Sequence, residues 1–196
     1  MIQSSRRAFC RFRANETETL SPALPRDIEQ LAFDVLHRAV AARVTLATAE
    51  SCTGGLLASL LTDVEGAGRC FDRAFITYTD DSKVDMLGVD RGILDREGAV
   101  SREAAEAMVC GALARSQANL AVAITGFAGA GAPGEEAGLV FVGASRRSGQ
   151  PHVTEHHFGD IGRGEVRLKA LRVALEHLAA ELKEGVRKGT VGAAAD

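Results

Sequence analysis

The chain has 196 residues, 46% of them hydrophobic and 25% charged, with a formal net charge of −3 and a pI near 6.0. That apolar content excludes a disordered or collagen-like chain, and the charge balance excludes a basic protein built to wrap nucleic acid. No run approaches the ~18 consecutive apolar residues of a membrane span.

Residues 1–26 carry Arg6, Arg7, Arg11 and Arg13 but no apolar h-region, and are expected to form a disordered extension rather than a secretory signal or transit peptide. After Pro25, the residues Ile28, Leu31, Ala32, Val35, Leu36 and Val40 repeat at helical spacing. The β-branched apolar run 44–49 reads as a buried strand. Thr53-Gly54-Gly55 then leads into a helix carrying Leu56, Leu57, Leu60 and Leu61. A second strand is predicted over 74–79, running into a short helix ended by Gly88. Ser101 has the character of an N-cap for a helix with Ala104, Ala105, Met108, Val109 and Ala112. A strand over 119–125 precedes a glycine-rich segment, and strands over 138–144 and 152–158 lie close enough to pair through a turn. The last helix is predicted over 164–184, with Leu171, Leu175, Leu178 and Leu182 on one face, and residues 185–196 are expected to be a disordered tail. Strands alternating with helices predict an α/β fold. The expected form is a three-layer α/β/α sandwich with a mixed, mainly parallel sheet of about five to six strands, in one domain over 27–184.

Two motifs lead away from common cofactors. Gly129, Gly131 and Gly134 spell G-x-G-x-x-G, but Pro133 and a strand follow where a dinucleotide fingerprint needs a helix. The loop is left as a plain surface loop or as a nest of backbone amides suited to a phosphate. His152, His156, His157 and Asp160 could suggest a metal, but alternation along a strand brings only two imidazoles to one face. A solvated strand face is the better reading, so neither metal nor cofactor is expected. Cys10, Cys52, Cys70 and Cys110 form no C-x-x-C and read as reduced thiols of a cytoplasmic protein.

The segment A-E-S-C-T-G-G at 49–55 falls where a strand ends and a helix begins, the place at which open α/β sheets hold their ligands. It offers Ser51, Cys52 and Thr53 as possible nucleophiles beside helix N-terminal amides able to hold an oxyanion. The plainer alternative is that Ser51 or Thr53 caps the helix and Cys52 packs as a small hydrophobe. A serine nucleophile needs a base. Tyr78, the only tyrosine, and Lys83, the first of four lysines among 23 basic residues, stand together in Y-T-D-D-S-K. Arginine cannot lose its proton, whereas a desolvated lysine can act as a general base. The alternative is a solvated lysine paired weakly to Asp80 or Asp81.

In order along the chain stand A-E-S-C-T-G-G, Y-x-x-x-x-K, L-G-V at 87–89, G-A-V-S at 98–101, T-G-x-A-G at 125–129 and F-G-D at 158–160. This set resembles the CinA C-terminal domain family, the nicotinamide-nucleotide amidases, over about 27–184. The resemblance implies hydrolysis of the carboxamide of nicotinamide mononucleotide to nicotinate mononucleotide and ammonia, in pyridine-nucleotide salvage, with no metal. By motif, Ser51 would be the nucleophile, Lys83 its base and Tyr78 an auxiliary hydroxyl. Glu50, Cys52, Thr53, Gly54, Gly55, Thr125, Gly126, Gly129 and Arg163 would bind substrate, with amides near Cys52 to Gly54 holding the oxyanion. Three segments depart from the family pattern. Thr79 and Asp80 replace the usual Ser-Asn, the loop TGFAGAGAPGEEAG is short, and GDIGR sets Arg163 two residues late. The expected partner is a small-molecule nucleotide, not a nucleic acid or a membrane, and a homo-oligomer paired through the last helix or a sheet edge stays open. Two other functions stay open as well: a non-catalytic nucleotide-binding module, and an amidase for another small carboxamide.

Overall fold

The computed structural model describes residues 24–129 and 134–190, with side chains to 183. The expected extension and the end of the tail lie outside the described residues, as does Gly131. Chain order is α1 (Arg26–Ala42), β1 (Leu46–Glu50), α2 (Leu56–Thr62), β2 (Phe71–Ile76), α3 (Asp80–Ser82), a π-helical turn (Lys83–Leu87), α4 (Arg91–Glu97), α5 (Arg102–Ala114), β3 (Leu120–Gly126), β4 (Leu139–Arg146), β5 (His152–His157) and α6 (Arg163–Thr190). No helix among the described residues is long and apolar enough to cross a membrane.

The five strands form one sheet in the order β2-β1-β3-β4-β5. β1 pairs in parallel with β2 and β3, while β4 is antiparallel to both β3 and β5. Four strands therefore point one way and only β4 runs against them, which is the mixed, mainly parallel sheet expected. Helices α1, α2 and α6 cover one face, and α5 with α4 and the π-helical turn covers the other.

Strand alternation sorts the residues by size. Leu46, Leu120, Val122, Ile124, Val140 and Val142 face α1 and α6, together with Leu171, Leu175, Leu178 and Leu182. The opposite side of β1 and β3 is alanine: Ala47, Ala49, Ala121 and Ala123. Small residues let α5 approach closely, and the close packing continues outward. At Gly111 of α5 a Cβ would overlap the carbonyl oxygen of Leu87 and lie 2.9 Å from its carbonyl carbon. The π-helical turn thus rests directly on the α5 backbone.

Several boundaries differ from those predicted. β2 begins at Phe71 and ends at Ile76, three residues early at each end. It is an edge strand, with Asp72, Arg73 and Ile76 exposed, so the apolar pattern that marks a buried strand is absent. Thr77 to Thr79 leave the sheet and turn toward the site. α6 runs on to Thr190, beyond the predicted 184. Pro25 occupies the N-cap of α1 without a side-chain cap bond, and at the start of α5 the Ser101 hydroxyl accepts the Ala104 amide at 3.1 Å, the N-cap predicted there.

Candidate active site

The C-terminal ends of β1, β2 and β3 lie side by side and bring together most of the residues singled out by sequence. Beyond the last residue of β1, the Ser51 amide donates to the Ile124 carbonyl at 2.9 Å, which fixes the serine against β3. Past β2, the Thr77 amide donates to the Glu50 carbonyl at 2.8 Å. Thr79 and Ser82 then form a reciprocal capping box that starts the turn leading to Lys83.

Lys83 is 1% exposed. Its Nζ lies 3.3 Å from Ser51 Oγ and donates to the Thr77 carbonyl at 3.2 Å. Burial depresses its proton affinity, against the nearby Asp80 charge, which raises it. A solvated, ion-paired lysine is therefore not what folds: Asp81 is bound by Arg91, at the start of α4. As a neutral amine, Lys83 can donate to Thr77 and accept the Ser51 hydroxyl proton. That is the geometry of a nucleophile and its base.

Cys52 is buried beside Ser51, and burial pushes its thiol up to about 11. At neutral pH only about one thiol in ten thousand would be ionised, which disfavours it as the nucleophile.

A pocket of about 280 Å³ opens over this pair. Of the residues singled out by sequence, Ser51, Cys52, Tyr78, Lys83, Thr125, Gly126, Gly129 and Arg163 line it. Asp80, Ala99, Val100, Phe127 and Ala128 line it as well. Of these, Asp80 carried a signal, since it stands between Tyr78 and Lys83 in the same motif. Ala99, Val100 and Ala128 stand inside the G-A-V-S and T-G-x-A-G motifs, although neither motif marked them as lining residues, and Phe127 fills the unspecified position of the second.

Four residues grouped by sequence with the binding site, Glu50, Thr53, Gly54 and Gly55, do not line the pocket. Glu50 is fully buried and turned to the α2 side of β1. Its carboxylate accepts the amides of Gly55 at 3.1 Å, Leu57 at 3.1 Å and Ala58 at 2.8 Å. It thereby caps α2 and leaves the amides of Cys52 to Gly54 untouched. Gly54 and Gly55 close the turn, with the Gly54 amide on the Ser51 carbonyl at 3.0 Å. Thr53 is fully buried, and its carbonyl accepts from Arg167 at 2.5 Å. Among the described residues, the Cys52 and Thr53 amides of this turn have no backbone acceptor.

Tyr78 is 59% exposed at the mouth of the pocket. Its hydroxyl accepts from Arg163 at 2.9 Å and makes no hydrogen bond to Ser51 or Lys83. Arg163, the first residue of α6, reaches the pocket because the two extra residues before it bulge outward between Gly159 (φ 75) and Gly162 (φ 89). The Thr125 hydroxyl donates to the Ala99 carbonyl at 2.6 Å, so it ties down the 98–101 turn. At Gly126 a Cβ would lie 2.7 Å from the Leu139 carbonyl oxygen, which explains the glycine by packing against β4.

The histidines lie elsewhere. His157 pairs with Glu136 at 2.8 Å and Glu155 at 3.1 Å, while His152 stacks on His177. Asp160 belongs to the exposed bulge before Arg163.

The profile of the CinA C-terminal domain family matches residues 28–182. A CinA-like protein of Chlorobium phaeovibrioides is 42% identical over 163 residues, covering 78% of this chain and 37% of that protein. A putative competence-damage inducible protein of Symbiobacterium thermophilum is 48% identical over 113 residues, covering 55% of this chain and 26% of that protein. The chain thus spans about a third or less of the length of these curated relatives. Among solved structures, the competence/damage inducible protein CihA of Agrobacterium tumefaciens superposes with a TM-score of 0.78 at 47% identity, covering 82% of this chain and 98% of that one. The CinA superfamily protein of Escherichia coli does so with a TM-score of 0.73 at 37% identity, covering 78% of this chain and 88% of that one.

Proposed function

Because the chain belongs to the CinA C-terminal domain family, we propose that it is a serine–lysine amidohydrolase that cleaves the carboxamide of nicotinamide mononucleotide. The observation that carries the reading is the 3.3 Å approach of a fully buried lysine amine to Ser51 Oγ. Neutral Lys83 takes the Ser51 proton as the oxygen attacks the amide carbon. The Cys52 and Thr53 amides stabilise the oxyanion. The C–N bond breaks as Lys83 returns the proton to the nitrogen, and ammonia leaves. Water, deprotonated by the same lysine, then attacks the acyl ester, releasing nicotinate mononucleotide and free Ser51. Arg163 at the pocket mouth binds the 5′-phosphate, and Tyr78 holds the guanidinium in place. Neither metal nor cofactor has a role in these steps.

Ammonia release from nicotinamide mononucleotide tests the reading. Ser51→Ala and Lys83→Arg are expected to lose at least about a thousandfold in kcat/KM, whereas Cys52→Ala stays within a few-fold of wild type. An inactive but folded Cys52→Ala variant would move the nucleophile to the cysteine. Saturable nucleotide binding with no ammonia from the wild type would identify a binding module instead.

A further inference from the structure

Two neighbouring carboxylates have different fates at the end of β2. Asp81 is taken by Arg91. Asp80 lines the pocket; its carboxylate has no hydrogen bond and no ion pair within 4 Å among the described residues, although its charge acts on Lys83 and Arg91. The pocket's guanidinium, Arg163, is bound to the Tyr78 hydroxyl and not to a carboxylate. One negative and one positive charge, supplied by α3 and α6, therefore face the same cavity without pairing to each other.

We infer that Asp80 selects cationic, pyridinium-type carboxamides, its carboxylate pairing with the ring's positive charge while Arg163 takes the anionic group. This rests on the amidase reading and adds a specificity residue to it. In the free enzyme the Asp80 charge works against the base. The Lys83 amine contacts Ser51 and the Thr77 carbonyl, the Asp80 and Cys52 groups act on it through their charge when ionised, and Tyr78 and Arg163 line the same pocket. Burial depresses the lysine's proton affinity, and the Asp80 charge raises it again. The Cys52 thiol stays neutral at physiological pH, so it does not share that role. A cation docked on Asp80 would cancel the opposing charge and favour the neutral amine that the reaction needs. A neutral carboxamide would not. Selection and activation of the base thus come from the same carboxylate.

The test compares nicotinamide mononucleotide with its reduced dihydropyridine form, which keeps the phosphate and carboxamide but has a neutral ring. Wild type and Asp80→Asn are measured with both. Asp80→Asn is expected to raise KM about tenfold for the cationic ring and to leave it within about twofold for the neutral one. Equal effects on both rings, or none on either, would overturn the inference. The same two nucleotides are also titrated calorimetrically into both proteins. If the wild type releases no ammonia, the amidase reading fails by itself, and the Kd values decide. A tenfold loss confined to the cationic ring upholds Asp80 as the selector, and equal losses reject it.

Discussion

Gly111 lies on α5 and does not line the pocket, yet its replacement by alanine should impair turnover. The added Cβ overlaps the Leu87 carbonyl oxygen and approaches the Leu87 carbonyl carbon and Cβ to 2.9 Å. That oxygen is already held by Arg115 at 2.7 Å, and real Cβ atoms do not come so close to backbone. Relief requires the Lys83–Leu87 turn to retreat by roughly 1 Å, because backbone cannot swing aside as a flexible side chain would. Lys83 is the first residue of that turn, and its contact with Ser51, at 3.3 Å, is already near the limit of a hydrogen bond. A retreat of that size breaks it. Misplacement by about 1 Å costs on the order of a hundredfold in kcat, and overpacking costs about 2–3 kcal/mol in stability. For a domain of this size that is a fall in Tm of roughly 5–10 °C. The measurements are steady-state ammonia release well below the Tm and a thermal melt. Gly68→Ala, whose new methyl meets nothing within 4 Å, is the control. Wild-type kcat in a folded Gly111→Ala protein would refute the coupling between α5 and the base.

Three further outcomes follow from the geometry. Lys83→Met removes a buried amine whose proton affinity folding depresses, so between the folded-state value and the ordinary lysine value the unfolded chain binds more protons. Wild-type stability therefore rises with pH across that window, and any advantage of the methionine variant in urea melts should shrink as pH climbs toward about 10.5; a pH-independent difference would contradict the buried amine. Glu50→Gln turns an NH₂ group toward at least one of three amide donors, and should lower stability by about 2–3 kcal/mol, read as a shifted urea midpoint. Tyr78→Phe loses only its bond to Arg163, so kcat should stay within about threefold while KM rises for phosphorylated substrates; a large fall in kcat would put the hydroxyl back in the proton path.

Much of the site was legible because sequence carries the signals that place it. A buried strand run followed by Thr-Gly-Gly pointed to Ser51, and the first of only four lysines in an arginine-rich chain pointed to Lys83. What stayed hidden depends on which face a side chain takes and on contacts remote in sequence. Glu50 shares strand parity with Leu46, which turns it toward α2 and away from the pocket. Tyr78 sits in the motif of the base, but an exposed edge strand releases it toward Arg163, 85 residues away. The π-helical form of the Lys83 turn answers to Gly111 on another helix, and no local propensity announces it. The interrupted GDIGR spelling, which puts Arg163 out of register, is absorbed by an outward bulge, so the cation still reaches the pocket.

The uneven sheet, leucine and valine on one side and alanine on the other, gives the two faces different tolerances to drift. On the side of α1 and α6, exchanges among aliphatic residues alter packing remote from the lysine. On the alanine side there is no slack, because α5 bears on the turn that starts with Lys83. Ala47, Ala49, Ala121 and Ala123 set how closely α5 approaches the sheet, and a methylene added there is expected to reach the Lys83–Leu87 turn through α5.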